Sequence, residues 1–113
     1  MEKQTAIGAL AALAQETRLD VFRTLVQAGP KGLPAGAIGA ALDIPSATLS
    51  FHLKELRSAG LVRCERQGRS RIYSPDFSIT TELIGFLTAN CCQGVDGLGA
   101  GKGGCGLDRE TRA

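Results

Sequence analysis

Cys91 and Cys92 are adjacent, and Cys105 follows them across a stretch that holds six glycines between residues 93 and 104. These are three of the four cysteines in a chain of 113 residues that has a single histidine. Three thiolates without an imidazole nearby form a soft donor set of low coordination number. Zinc in a closed site takes four ligands, and Asp96, the nearest fourth donor, is a hard carboxylate on the same glycine-rich stretch. A trivalent arsenic or antimony species binds three sulfurs and fills its remaining position with a lone pair, so As(III) or Sb(III) fits Cys91, Cys92 and Cys105 best. Cu(I), Cd(II) and Pb(II) share the required softness. Cys91 and Cys92 alone would suit an organoarsenical, which needs two sulfurs. Cys64 stands apart, in an alternating stretch, and reads as a small buried hydrophobe.

Neighbouring positions of a continuous helix point about 100° apart. Both thiols can therefore reach one ion only if the helix before them ends at the pair. Asn90 and Gly94 are residues that end helices, and the glycine-rich stretch predicts a tether able to bring Cys105 back, at a closure cost that grows slowly with length.

The elements upstream follow from periodicity. Residues 5–13 carry Ile7, Leu10 and Leu13 at helical spacing. Residues 16–28 carry Leu19, Phe22, Leu25 and Val26, and Gly29-Pro30 stops that helix. Residues 34–42 open with a proline and predict a short, weak helix, because Gly36 and Gly39 lower its propensity. A turn at Asp43-Ile44-Pro45 leads into a stronger helix from Ser46 to Ala59, capped by Gly60. LVRCER (61–66) and SRIYS (70–74) alternate as strands do, and Gln67-Gly68-Arg69 between them predicts a hairpin tip. A last helix spans 78–90, with Ile79, Leu83, Phe86 and Leu87 as its apolar stripe. The expected architecture is mainly α with a β-hairpin wing: a winged helix-turn-helix over residues 1–90, followed by a Cys/Gly-rich tail over 91–113.

In SATLSFHLKELRSAGL, Leu49, Leu53, Leu56 and Gly60 should pack inward. Ser46, Ser50, Lys54 and Arg57 share another face, where short hydroxyls can reach base edges and longer cations can reach phosphates. Charge supports this. The whole chain carries +2, yet Lys54, Arg57, Arg63, Arg66, Arg69 and Arg71 face only Glu55 and Glu65 between residues 54 and 71. That segment therefore holds a surplus of +4 and leaves the remainder net acidic. Concentration of cations onto one helix and one hairpin is the footprint of a polyanion partner. Arg66 and Arg69 bracket Gly68, where a wing could follow the backbone or the minor groove.

ALAQETRLDVFRTL, then SFHLKELRSAGLV, then RQGRSRIYS resembles the ArsR/SmtB family of winged-helix metalloregulators, over residues 5–90. The resemblance implies a homodimeric bacterial repressor that binds double-stranded operator DNA when unliganded and leaves it when an inducer binds. It places Ser46, Thr48, Ser50 and His52 on the recognition helix, with His52 in a DNA-side or helix-positioning role rather than on a metal. A cysteine pair in the helix before the recognition helix, the inducer site of many relatives, has no counterpart in PAGAIGAAL. The Asp, His and Glu zinc site that others carry on the last helix would find only Glu82 here. The inducer site then falls to the tail, with no permanently bound cofactor.

Dimerisation also has a physical motive: one helix reads few base pairs, whereas two about 34 Å apart match successive major grooves. The first and last helices, rich in Ala, Ile and Leu, are the expected interface. No apolar stretch is long enough to span a bilayer, and the short apolar run near the N-terminus is flanked by Glu2 and Glu16, unlike a signal peptide. A cytoplasmic protein with no membrane partner is expected, in which clustered thiols stay reduced. No acid–base constellation or phosphate loop suggests an enzyme. A repressor that senses thiol oxidation through a disulfide to Cys105 is the alternative of the same architecture.

Overall fold

The computed structural model describes residues 1–94. Eight elements follow in order: α1 (Lys3–Leu13), α2 (Glu16–Ala28), β1 (Leu33–Pro34), α3 (Ala35–Leu42), α4 (Ser46–Ser58), β2 (Val62–Gln67), β3 (Ser70–Pro75) and α5 (Phe77–Thr88). The helices and the hairpin stand where periodicity and turn chemistry place them, and the fold is a winged helix-turn-helix. β1 was not anticipated. Its two residues pair antiparallel with β3, Leu33 with Tyr73 and Pro34 with Ile72, giving a three-stranded sheet of order β1-β3-β2. A two-residue strand leaves no alternation to detect, so only the pairing defines it.

Local chemistry explains the element ends. At the end of α4, Leu61 N–H donates to Leu56 C=O at 3.0 Å and Gly60 N–H donates to Arg57 C=O at 2.9 Å. This is the paired cap that needs a left-handed residue, and Gly60 supplies φ of 81°. Leu56 and Leu61, the accompanying apolar contact, are both fully buried. The wing turns through the two-residue loop Gly68-Arg69, with Gly68 at φ of 62° and Gln67 paired to Ser70. Leu61 C=O then accepts from Asp76 N–H at 2.8 Å, and the Asp76 carboxylate caps α5 by accepting from Ile79 N–H at 3.1 Å. The hairpin is thus tied at its base to both flanking helices.

One core joins Val21, Phe22 and Leu25 of α2, Ile38 of α3, Leu49, Leu53 and Leu56 of α4, Tyr73 of β3 and Leu83 of α5. The inner face of α1 differs from expectation. Ala6, Ala9 and Ala12 are buried, whereas Ile7 and Leu10 are exposed. In α2 likewise, Val21 joins the core while Leu19 and Val26 stay exposed. On α5 only Leu83 is buried, and Ile84, Phe86 and Leu87 face outward. Small side chains let α1 approach its neighbours α2, α4 and α5 closely, so the larger residues turn away. Among the described residues, no helix is long and apolar enough to cross a membrane.

Candidate nucleic-acid interface

Helix α4 is held on three sides. Leu49, Leu53 and Leu56 enter the core, as the spacing predicted. Ser46 and Ser50, both exposed, border a shallow groove of about 320 Å³ against α3, whose floor includes Gly36, Gly39, Ala40 and Ile44. On the opposite flank His52 is buried, with only 8% of its surface exposed. Arg18 of α2 donates from Nη1 to His52 Nδ1 at 3.4 Å and from Nε to Ala12 C=O at 2.8 Å. A guanidinium can only donate, so Nδ1 is the acceptor and the ring proton sits on Nε2. Of the two roles open to His52, DNA-side or helix-positioning, this contact favours the second. The ring faces α2, and with Arg18 it fixes the angle of α4 against the end of α1.

The side chains expected to meet DNA lie at the surface. Ser46, Thr48, Ser50, Lys54 and Arg57 of α4 are exposed, as are Arg66, Arg69 and Arg71 of the hairpin. Thr48 lies on the flank of α4 away from Ser46 and Ser50, because two residues turn a helix through more than half a revolution. The direction straight out from the core belongs instead to Ala47, Phe51 and Lys54, at spacings of four and three residues. Phe51 is 55% exposed, and its ring meets His52 edge-on. Ala47 and Phe51 take that direction because both sit opposite Leu49, Leu53 and Leu56 on the helical wheel.

Electrostatics leave the hairpin cationic. The one ion pair among the described residues joins Arg63 Nη2 to Glu65 Oε2 at 3.9 Å, both well exposed. Such a pair contributes little stability, but it occupies the one acidic side chain of the wing. Arg66 lies directly opposite Arg71 on the β2–β3 ladder. Cys64 is half-buried opposite Tyr73. Burial pushes the Tyr73 hydroxyl above its usual pKa, and the adjacent Cys64 thiol pushes it further the same way. Cys64 therefore packs against the core beside Tyr73, half-buried rather than buried as expected.

The thiol pair lies beyond the end of α5. That helix stops at Thr88, and Asn90 and Cys92 adopt left-handed φ values of 61° and 67°. This break in the helix lets the two neighbouring side chains converge: Cys91 Sγ and Cys92 Sγ are 2.8 Å apart and both exposed. The Cys92 thiol holds that of Cys91 above its ordinary pKa, first by hydrogen bonding and then by charge repulsion. Two sulfurs are thus convergent and open to solvent. Among the described residues no group of three or more His, Cys, Asp or Glu side chains gathers as a metal site. Cys105 and Asp96 lie outside the described residues.

Comparison with known proteins gives a consistent picture. A family model described as a helix-turn-helix domain matches residues 13–65. YceK of Bacillus subtilis (strain 168), an uncharacterized HTH-type transcriptional regulator, is 39% identical over 77 residues, 67% of this chain and 76% of the relative. Among solved structures, HlyU from Vibrio cholerae N16961 is 29% identical with a TM-score of 0.63, covering 82% of this chain and all of that one. An ArsR-like transcriptional regulator from Rhodococcus sp. RHA1 superposes with a TM-score of 0.67 at 24% identity, covering 74% and 76% of the two chains.

Proposed function

The chain belongs to the HTH-type transcriptional regulators and shares its fold with an ArsR-like regulator, and on that premise we propose that it is a dimeric, cytoplasmic repressor released from operator DNA by trivalent arsenic or antimony. The observation that carries the DNA half is the stripe of exposed cations, Lys54, Arg57, Arg66, Arg69 and Arg71, with acidic neutralisation confined to Arg63. Ser46, Thr48 and Ser50 meet base edges or nearby phosphates at the N-terminal turns of α4. Lys54 and Arg57 meet phosphates further along, and the hairpin follows the backbone. Each phosphate contact releases counterions, so affinity falls steeply with salt.

The dimer forms through α1 and α5. These helices touch one another and turn Ile7, Leu10, Ile84, Phe86 and Leu87 outward. An apolar face of that extent marks an association surface. The two α4 helices of such a dimer, about 34 Å apart, reach successive major grooves.

Inducer capture belongs to Cys91 and Cys92, with Cys105 as the third sulfur. Their convergence at the end of α5 supports this reading. Each thiol that bonds to arsenous acid gives up its proton, which leaves with one hydroxide as water. Cys91 and Cys92 sit on the chain that leaves α5, so capture repositions α5 and alters the spacing of the two α4 helices. A coupling of about 1–3 kcal/mol suffices.

The test is release of duplex DNA titrated in parallel with arsenite, antimonite, methylarsenite, cadmium and zinc, for the unaltered chain and for Cys92→Ser. Arsenite and antimonite should release the first and leave the second bound. Equal release of both would remove the pair from the sensor. The same convergent thiols keep one second reading open, a repressor that responds to peroxide. Release by peroxide, with loss of two hydrogens by mass spectrometry and indifference to arsenite, would favour it.

A further inference from the structure

Straight out from the core, α4 presents Ala47, Phe51 and Lys54 rather than its serines. Leu49, His52, Leu53 and Leu56 are buried beneath. Ser46 and Ser50 flank the groove toward α3, and His52 is held toward α2. The centre of the outward ridge is therefore an aromatic ring that is 55% exposed. A scattered exposed apolar residue needs no explanation by itself. This one stands where the surrounding charge identifies the occupant. Lys54 lies beside it on the same ridge, Arg57 follows one turn later, and the hairpin cations lack acidic partners apart from the Arg63–Glu65 pair.

The major groove floor of duplex DNA offers polar edges at every base pair. For unmodified bases it offers one apolar group, the C5-methyl of thymine. A phenyl ring cannot satisfy a polar edge and gains only by covering that methyl. We infer that Phe51 reads thymine in the operator through its C5-methyl group, so that each half-site carries a thymine under the middle of α4. Ala47, one turn earlier on the ridge, offers a second, smaller apolar surface. Lys54 anchors the ridge on phosphate. The inference rests on the proposed binding of duplex DNA and adds the base that is read and the residue that reads it.

The experiment selects duplexes from a randomised library with the full chain, then replaces each thymine of the recovered duplex singly by deoxyuridine. That change removes one methyl group and leaves every hydrogen-bonding edge intact. Affinity is followed by fluorescence anisotropy at fixed salt. At one thymine per half-site, deoxyuridine should weaken binding roughly fourfold, the equivalent of one buried methyl group. Phe51→Ala, which removes the ring from both protomers, should bind the thymine duplex roughly 16-fold more weakly and lose the distinction, whereas Phe51→Leu should keep it. Binding that ignores every deoxyuridine overturns the inference, as does a thymine dependence that survives in Phe51→Ala. Failure of the unaltered chain to retain any duplex removes the DNA reading itself.

Discussion

Arg66 and Arg71 occupy directly opposite positions on the two strands of the wing, with both side chains exposed. Like charges facing across an antiparallel pair cost stability, on the order of 0.2–1 kcal/mol. A fold that needed only solubility could alternate signs here, and the wing spends its one glutamate on Arg63 instead. The arrangement is strained by itself and relieved by a polyanion. It makes the wing a surface whose favourable partner lies outside the subunit.

Arg66→Thr should therefore separate stability from binding. Urea denaturation should show the variant equal to or slightly more stable than the parent, by up to about 1 kcal/mol. Its affinity for duplex DNA should fall, and the slope of log affinity against log salt should shrink by about 1.8 per dimer, the share of one phosphate contact from each wing. A lower urea midpoint together with an unchanged salt slope would make Arg66 a structural residue.

The contact between Arg18 and His52 yields the opposite separation. His52→Ala removes the acceptor of Arg18 Nη1 and leaves space beside Leu53, at a cost of roughly 1–3 kcal/mol. His52→Asn should recover part of this, because Asn Oδ1 can accept where His Nδ1 does. Neither change should alter the salt slope of DNA binding, since the imidazole is covered by α2. A slope reduced by one contact per protomer with undiminished stability would return His52 to the DNA face.

The outward residues of α1 and α5 give a third prediction. Leu87→Glu alters a side chain that is 57% exposed in the subunit, so the fold should persist while the dimer weakens. Light scattering should report the mass of one chain at micromolar concentration. Affinity for a two-half-site duplex should fall roughly 100-fold or more, because the second half-site no longer binds as part of one particle. Leu83→Glu, at a buried position of the same helix, should instead unfold the chain. A Leu87→Glu protein that remains dimeric would move the interface elsewhere.

Much of the molecule is legible because its signals are local. The Gly60 cap and the Gly68 turn are written into a few adjacent residues each. The adjacency of Cys91 and Cys92, and the helix end that lets them converge, can likewise be read from Asn90 and the glycines beyond. The concentration of arginines on one segment is a matter of counting.

What the tertiary structure alone decided is which side of each element faces in. Helix α1 is apolar on more than one side, so periodicity cannot choose between Ile7 with Leu10 and the alanines. The close approach of α2, α4 and α5 chooses Ala6, Ala9 and Ala12, because only small side chains fit there. The strand at Leu33–Pro34 exists only because β3 lies alongside it. His52 belongs to the interior because Arg18, distant in sequence, reaches it. Local rules fix where elements begin and end; their orientation is set by neighbours that the chain brings together only on folding.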